Sequence, residues 1–184
     1  KNIKSTLKNT TYNLKYLKKI DAEKLPFEND YFDIVYSFGV LHHAQNTMKC
    51  ISEAVRVLKP GGDLKLMLYS NFSSTGFMLW CLYGLAKGRP FISQEEIIFN
   101  YLESPGTKSF SKKEVKKIML GFGLKKVIIK KYASAGDLLL MPPSKKYINS
   151  YLYKIARKIY PRFLIKKYQD KLGISMTISA KKPI

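Results

Sequence analysis

Arginine is scarce in this chain, and so are histidine and cysteine. Four Arg stand beside 29 Lys. Readers of nucleic acid lean on Arg forks and aromatic platforms. The net charge of +20 is therefore a scattered Lys excess, and a nucleic-acid partner is disfavoured. The two histidines are adjacent, His42 and His43, and the two cysteines, Cys50 and Cys81, stand alone. No Cys/His set has metal-ligand or redox spacing, so no metal is expected. Unpaired cysteines fit a reduced, cytoplasmic setting. Long apolar runs are missing too. The longest, Phe77 to Ala86, has ten residues, whereas a membrane-spanning helix needs about 20. No signal-peptide pattern opens the sequence.

What is present is enough for one domain. A chain of 184 residues, 46% hydrophobic and 25% charged, builds one real core and no second ordinary domain. Its most ordered stretch runs from Asn13 to Ser70 and alternates strand, loop, strand, loop, helix, glycine stop and strand. Asn13 to Ile20 reads as a strand. Phe32 to Phe38 is nearly continuous apolar, which predicts a strand covered on both faces. Asn46 is placed to cap a helix, whose Met48, Ile51, Val55 and Leu58 fall on one stripe. Lys59-Pro60-Gly61-Gly62 ends that helix, and Asp63 to Tyr69 forms the next strand. Strands alternating with helical patterns argue for a parallel sheet. Ligands of such sheets sit at the carboxyl ends of the strands. Here those ends are Asp21-Ala22 and Ser37 to His43.

These residues carry a resemblance. Asp21-Ala22-Glu23-x-Leu25-Pro26-Phe27 is followed by Phe32-Asp33-Ile34-Val35, then by Ser37-Phe38-Gly39-Val40-Leu41-His42-His43, then by Glu53-x-x-Arg56-Val57-Leu58-Lys59-Pro60-Gly61-Gly62. In this order and spacing the chain resembles the class I S-adenosylmethionine (SAM)-dependent methyltransferases. The closest type is the type 11 group, which includes ubiquinone and menaquinone C-methyltransferases. The resemblance implies a Rossmann-like α/β sheet of order 3-2-1-4-5-7-6 and SAM as cofactor. It implies that Asp21 and Ala22 hold adenine, a carboxylate offering acceptors only. It places Ser37, Phe38 and Gly39 near the methionine part. The bland role of Asp21 is to start a turn. Catalytic residues are not fixed by the motif. His42 or His43 is a candidate base, since imidazole titrates near neutrality, and packing at the rim is the competing role.

The family's first strand, with its acidic-x-Gly-x-Gly loop, and its second strand have no counterpart here. The sequence opens on Lys1 within an apparent helix tail, Ile3 and Leu7 being four apart. A sheet lacking the first two strands is therefore expected, as a fragment of a longer enzyme whose activity on its own is left open. Asn13 to Ile20 should lie roughly 14 Å from Phe32 to Phe38, three spacings of about 4.8 Å. The other four strands should be contiguous.

Residues 1–184 are read as a single partial domain with helical insertions at 71–110 and 134–170, expected to form a lid over an acceptor site. Phe77 to Leu85 reads as an apolar helix. Ser93 to Glu96 and Ser111 to Glu114 read as capping boxes. Val115, Ile118, Met119 and Phe122 form a stripe, and Leu124 to Tyr132 and Gly173 to Lys182 read as strands. Within 145–170, Ile148, Tyr151, Leu152, Ile155 and Ile159 make the apolar line of a basic helix broken by Pro161. That helix is a candidate for peripheral membrane contact. The expected function is methyl transfer to a small-molecule or lipid-like acceptor. Two alternatives are an RNA methyltransferase and a non-catalytic module docking on an anionic surface. Ser37-Phe38-Gly39-Val40 stands where base-amine methyltransferases of the family carry Asn/Asp-Pro-Pro-Tyr, which argues against the former.

Overall fold

A computed structural model describes residues 18–141 and 151–184. Among the described residues the strands are β1 (Phe32–Phe38), β2 (Leu58–Ser70), β3 (Ser109–Phe110), β4 (Lys125–Tyr132) and β5 (Ser175–Lys181). The main sheet has the order β1-β2-β5-β4, with β3 beside the end of β2. β1 runs parallel to β2, while β5 is antiparallel to both β2 and β4. This is the 4-5-7-6 portion of the expected order, and its four strands are contiguous. Of the expected first strand, residues 13–17 lie outside the described residues, as does the helix tail at 1–8. Residues 19 and 20 lie outside the described strands.

Helix α1 (Thr47–Arg56) follows its Asn46 cap, whose Oδ1 accepts from Lys49 N at 2.9 Å. It buries Thr47, Cys50, Ile51, Glu53 and Ala54; of the expected stripe Ile51 and Leu58 are buried and Val55 packs on the core, and only Met48 is turned outward. The Thr47 hydroxyl, donating to the Leu41 carbonyl at 3.0 Å, fixes that rotation. α4 (Lys112–Gly121) has the full capping box between Ser111 and Glu114 and buries Val115 and Met119. α1 and α4 cover the same sheet face, over Leu64, Leu66, Leu68, Met176, Ile178 and Ala180. These apolar faces, withdrawn from water, supply the main drive to fold.

The opposite face corrects the expectation for Phe32 to Phe38. Only one side of β1 is covered: Val35 packs on the core, while Ile34, Tyr36 and Phe38 are 60%, 68% and 52% exposed. An apolar strand does not by itself reveal whether a second layer lies over it. Tyr36 and Phe38 border a shallow depression of about 360 Å³ with Lys65, Ile128, Lys130 and Thr177.

β2 also starts earlier than Asp63. Lys59 to Gly62 forms a bulge inside the strand, where the register jumps between Phe32↔Leu58 and Ile34↔Asp63. Gly61 has φ +77°, and a Cβ on Gly62 would meet Asp33 O at 2.9 Å, so both positions require glycine. Lys182 clasps the bulge, its Nζ donating to Asp30 Oδ1, Val55 O and Leu58 O at 2.7–2.9 Å.

Segments 71–110 and, where described, 134–170 carry the remaining helices. α2 (Ser74–Tyr83) and α3 (Gln94–Tyr101) are capped by Ser73 and Ser93. Ser93 accepts from Glu96 N, but the Glu96 side chain turns to Arg89 at 3.3 Å, so only half of that capping box closes. α5 (Tyr151–Ile159), α6 (Arg162–Lys167) and α7 (Gln169–Leu172) follow, with Pro161 between α5 and α6. Ile148 lies outside the described residues.

Candidate functional site

The first wall of the site is a turn. Asp21 Oδ1 accepts from Glu23 N at 2.9 Å, and Asp21 O from Lys24 N at 3.2 Å. Asp21 therefore does start a turn, yet it is exposed, and neither Oδ2 nor the Ala22 N–H has a partner among the described residues. An acceptor and an adjacent backbone donor are left free side by side.

Two carboxyl contacts pin this turn to α1. Glu23 Oε1 accepts from Asn46 N at 2.7 Å. Glu53 Oε2 accepts from Leu25 N at 2.9 Å, and both Glu53 oxygens take Arg56 N–H groups at 2.8 Å. Arg56 also donates to Phe27 O, Asn29 Oδ1 and Leu25 O at 2.8–3.0 Å. The hydrogen bonds from Arg56 hold the Glu53 carboxyl at about 2, below its ordinary 4.5. Glu23, Glu53 and Arg56 were not among the expected site residues. The Glu53-x-x-Arg56 spacing was the available signal, since residues three apart meet on a helix face.

The second wall follows β1. Gly39 has φ +72° and carries the chain into a 3-10 turn, Leu41–His43. Lys108 holds this turn, donating from N to His42 O at 3.0 Å and from Nζ to Ala44 O at 2.6 Å. Between the walls lies a cavity of about 520 Å³, lined by Ile20, Asp21, Ala22 and Glu23 on one side and by Val40, Leu41, His43, Ala44 and Gln45 on the other. That volume falls within the roughly 300–1,000 Å³ of small-molecule sites.

The expected site residues divide around it. Asp21 and Ala22 line the cavity, as does His43. Ser37 is half-buried in β1, opposite Leu66, and Phe38 lies in the depression on the uncovered face. Neither these two nor Gly39 is among the lining residues.

The histidines part company as well. His42 is fully buried, its ring 4.3 Å from that of His43 and 4.2 Å from that of Tyr69. Neither ring nitrogen closes a hydrogen bond. Burial, with a smaller contribution from His43, lowers it to about 4; the nearby Met67 carbonyl opposes this, though not in hydrogen-bond geometry. His43 is exposed and held by the insertion: Nε2 lies 3.2 Å from Glu103 Oε2, and Nδ1 lies 3.2 Å from Thr107 Oγ1. Tyr69 donates to Glu103 Oε1 at 2.7 Å. Glu103 itself has φ +58°, a conformation that costs a non-glycine residue of order 1 kcal/mol or more.

Among the described residues no three His, Cys, Asp or Glu gather as a metal site.

A methyltransferase-domain family model matches residues 2–66. Over residues 2–66 the chain is thus similar to class I SAM-dependent methyltransferases of the type 11 group. Over 52 residues the chain is 46% identical to the ubiquinone/menaquinone biosynthesis C-methyltransferase of Stutzerimonas stutzeri, covering 28% of this chain and 20% of that protein. Over 44 residues it is 46% identical to the phthiotriol/phenolphthiotriol dimycocerosates methyltransferase of Mycobacterium leprae, covering 24% and 16%. The match thus spans about a fifth or less of those relatives' length.

The solved structures extend the likeness of fold beyond that stretch. A SAM-dependent methyltransferase of Thermotoga maritima, described as a possible histamine N-methyltransferase, superposes with TM-score 0.54 at 15% identity, over 91% of this chain and 64% of that one. The phosphoethanolamine N-methyltransferase 2 of Haemonchus contortus, in complex with phosphomonomethylethanolamine and S-adenosylhomocysteine, superposes with TM-score 0.55 at 18% identity, over 89% and 36%. The Rossmann-like methyltransferase fold therefore extends past the matched stretch.

Proposed function

We propose that this chain is part of a SAM-dependent methyltransferase acting on a small-molecule or lipid-like acceptor. The carrying observation is the free Asp21 carboxylate oxygen and free Ala22 N–H on one wall of the 520 Å³ cavity at the carboxyl end of β1. That donor–acceptor pair fits the amino group and ring nitrogen of adenine. Bound there, SAM supplies a reactive sulfonium methyl. The protein's share is alignment and exclusion of water. Glu53 and Arg56 keep the turn in place, and Gly39 lets the second wall approach. Ser37 and Phe38, near the cavity mouth in sequence but off its lining, belong to the methionine side in this reading. His43 borders the cavity, so proton removal from an acceptor falls to it rather than to the sealed His42. Glu103 and Thr107 fix its ring.

The acceptor class draws support from the relatives, whose names place them in quinone biosynthesis and on phthiotriol dimycocerosates. The insertions at 71–110 and 134–170 serve as the lid, since Glu103, Thr107 and Lys108 already reach the second wall. Both cysteines are free, which supports a reducing, cytoplasmic setting.

Ultraviolet cross-linking of radiolabelled SAM to the chain, followed by peptide mapping, tests the reading. Label is expected on peptides within 18–45. Label confined to other peptides, or none displaceable by S-adenosylhomocysteine, overturns it.

A further inference from the structure

Three described residues of the apolar line of α5 are turned to solvent. Tyr151, Ile155 and Ile159, spaced four apart, are 75%, 40% and 74% exposed. On α6, Phe163 and Leu164 are 77% and 51% exposed, while Ile165 is buried and anchors the helix. An amphipathic helix ordinarily turns this stripe toward a core. Here these side chains lie on the outside, and several large apolar groups exposed within one short segment mark an interaction site.

The base of the patch is tethered. Tyr160 donates to Asp137 O and Arg162 Nε to Leu138 O, both at 2.9 Å. Asp137 is itself buried and ties Ser74, Thr75, Ser134 and Ile174 together. The apolar side chains are thus presented from a fixed support.

The charge around them has one sign. Residues 151–172 contain seven Lys or Arg and a single carboxylate, Asp170. Lys112 Nζ already neutralises that carboxylate at 2.6 Å. Lys154, Lys158, Lys166 and Lys167 are exposed.

We propose that this α5–α6 face docks on the surface of an anionic lipid bilayer. Tyr151, Ile155, Ile159 and Phe163 enter the headgroup–acyl boundary, and the lysines pair with lipid phosphates through extended stems. A second copy of the chain fits poorly, because a twofold contact would bring the same cations face to face. Nucleic acid would be met by aliphatic side chains where it needs stacking surfaces. An anionic bilayer offers both chemistries at once. Among the described residues no helix is long and apolar enough to cross a membrane, so the contact is at the surface. The inference deepens the lipid-like acceptor reading, since it would bring the protein to such an acceptor. Its test uses no cofactor, so either can fail without the other.

The full chain is sedimented with vesicles of phosphatidylcholine alone and of phosphatidylcholine mixed with phosphatidylglycerol. Partition onto the mixed vesicles should exceed that onto the neutral ones by about ten-fold and weaken with added salt. Ile159→Ser with Phe163→Ser should reduce it about ten-fold, and Lys154→Glu with Lys158→Glu by a similar factor. Tyr151→Ser, at the far end of the stripe, repeats the apolar test should the double variant lose its fold. Equal partition onto both vesicle types overturns the proposal, as does no partition, or adsorption indifferent to every apolar substitution. So does a dimer, seen by sedimentation velocity, that the Ile159→Ser/Phe163→Ser variant dissociates, or single-stranded RNA binding that the same variant abolishes.

Discussion

Two carboxylates organise two halves of this molecule in different ways. Glu53 works in the motif-bearing half through a cation, clamped by Arg56 three residues along the same helix. Asp137 works in the insertion half through hydroxyls and backbone amides. Ser74 Oγ, Thr75 N, Thr75 Oγ1, Ser134 N, Ser134 Oγ and Ile174 N all lie within 3.0 Å of its oxygens. The first arrangement is local and repeats a motif, and its product is a pinned loop. The second gathers segments more than 60 residues apart, and its product is a platform for α5 and α6. A close ion pair is visible in spacing; a convergence of hydroxyls is not.

The comparison breaks hardest at Asp137. Asp137→Ala strands several buried donors, and its cost should be about 3 kcal/mol or more, read from urea midpoints. A cost near zero would mean that the insertion is not held at this point.

Glu53→Gln comes next, with a loss of about 2 kcal/mol at neutral pH. The wild-type contribution carries a pH signature. The folded carboxyl titrates near 2 and the free one near 4.5, so the folded state binds the proton less readily. Its stabilisation is complete above about 4.5 and is lost as pH falls toward 2. The variant should lack that acid limb in pH-dependent denaturation.

His42 reports a separate window. Its folded value of about 4 lies below the ordinary 6.5, so the unfolded chain takes the proton first. Stability is full above 6.5 and falls by about 2 kcal/mol as pH drops toward 4.5. His42→Leu should flatten that interval, and an unchanged slope would show the ring to be hydrated.

The effect on stability should be smallest at Asp21. Asp21→Ala removes one exposed hydrogen bond and should shift stability by less than about 1 kcal/mol.

Much of the motif half was legible in the sequence. The strand at Phe32 and the Asn46 cap follow from local chemistry, as does the Ser111–Glu114 box beyond that half, and the sheet order follows from the resemblance. The bulge at Lys59 to Gly62 was not legible, because glycine after a helix reads equally as a stop and as a kink inside a strand. The uncovered side of β1 was hidden, since apolar content does not tell which layers are present. The site was half legible: Asp21, Ala22 and His43 come together, while Glu103 and Thr107 reach His43 from a segment whose spacing carries no motif. Asp137 gave no sign of its role, because its partners are far apart in the chain.

The account turns on whether the Asp21–Ala22 turn grips a nucleoside. Titration calorimetry with S-adenosylhomocysteine, on the protein and on Asp21→Ala, measures this most directly. Affinity lower by about ten-fold or more, with an unchanged melting temperature, is the predicted result. Equal affinity for the two proteins would contradict it.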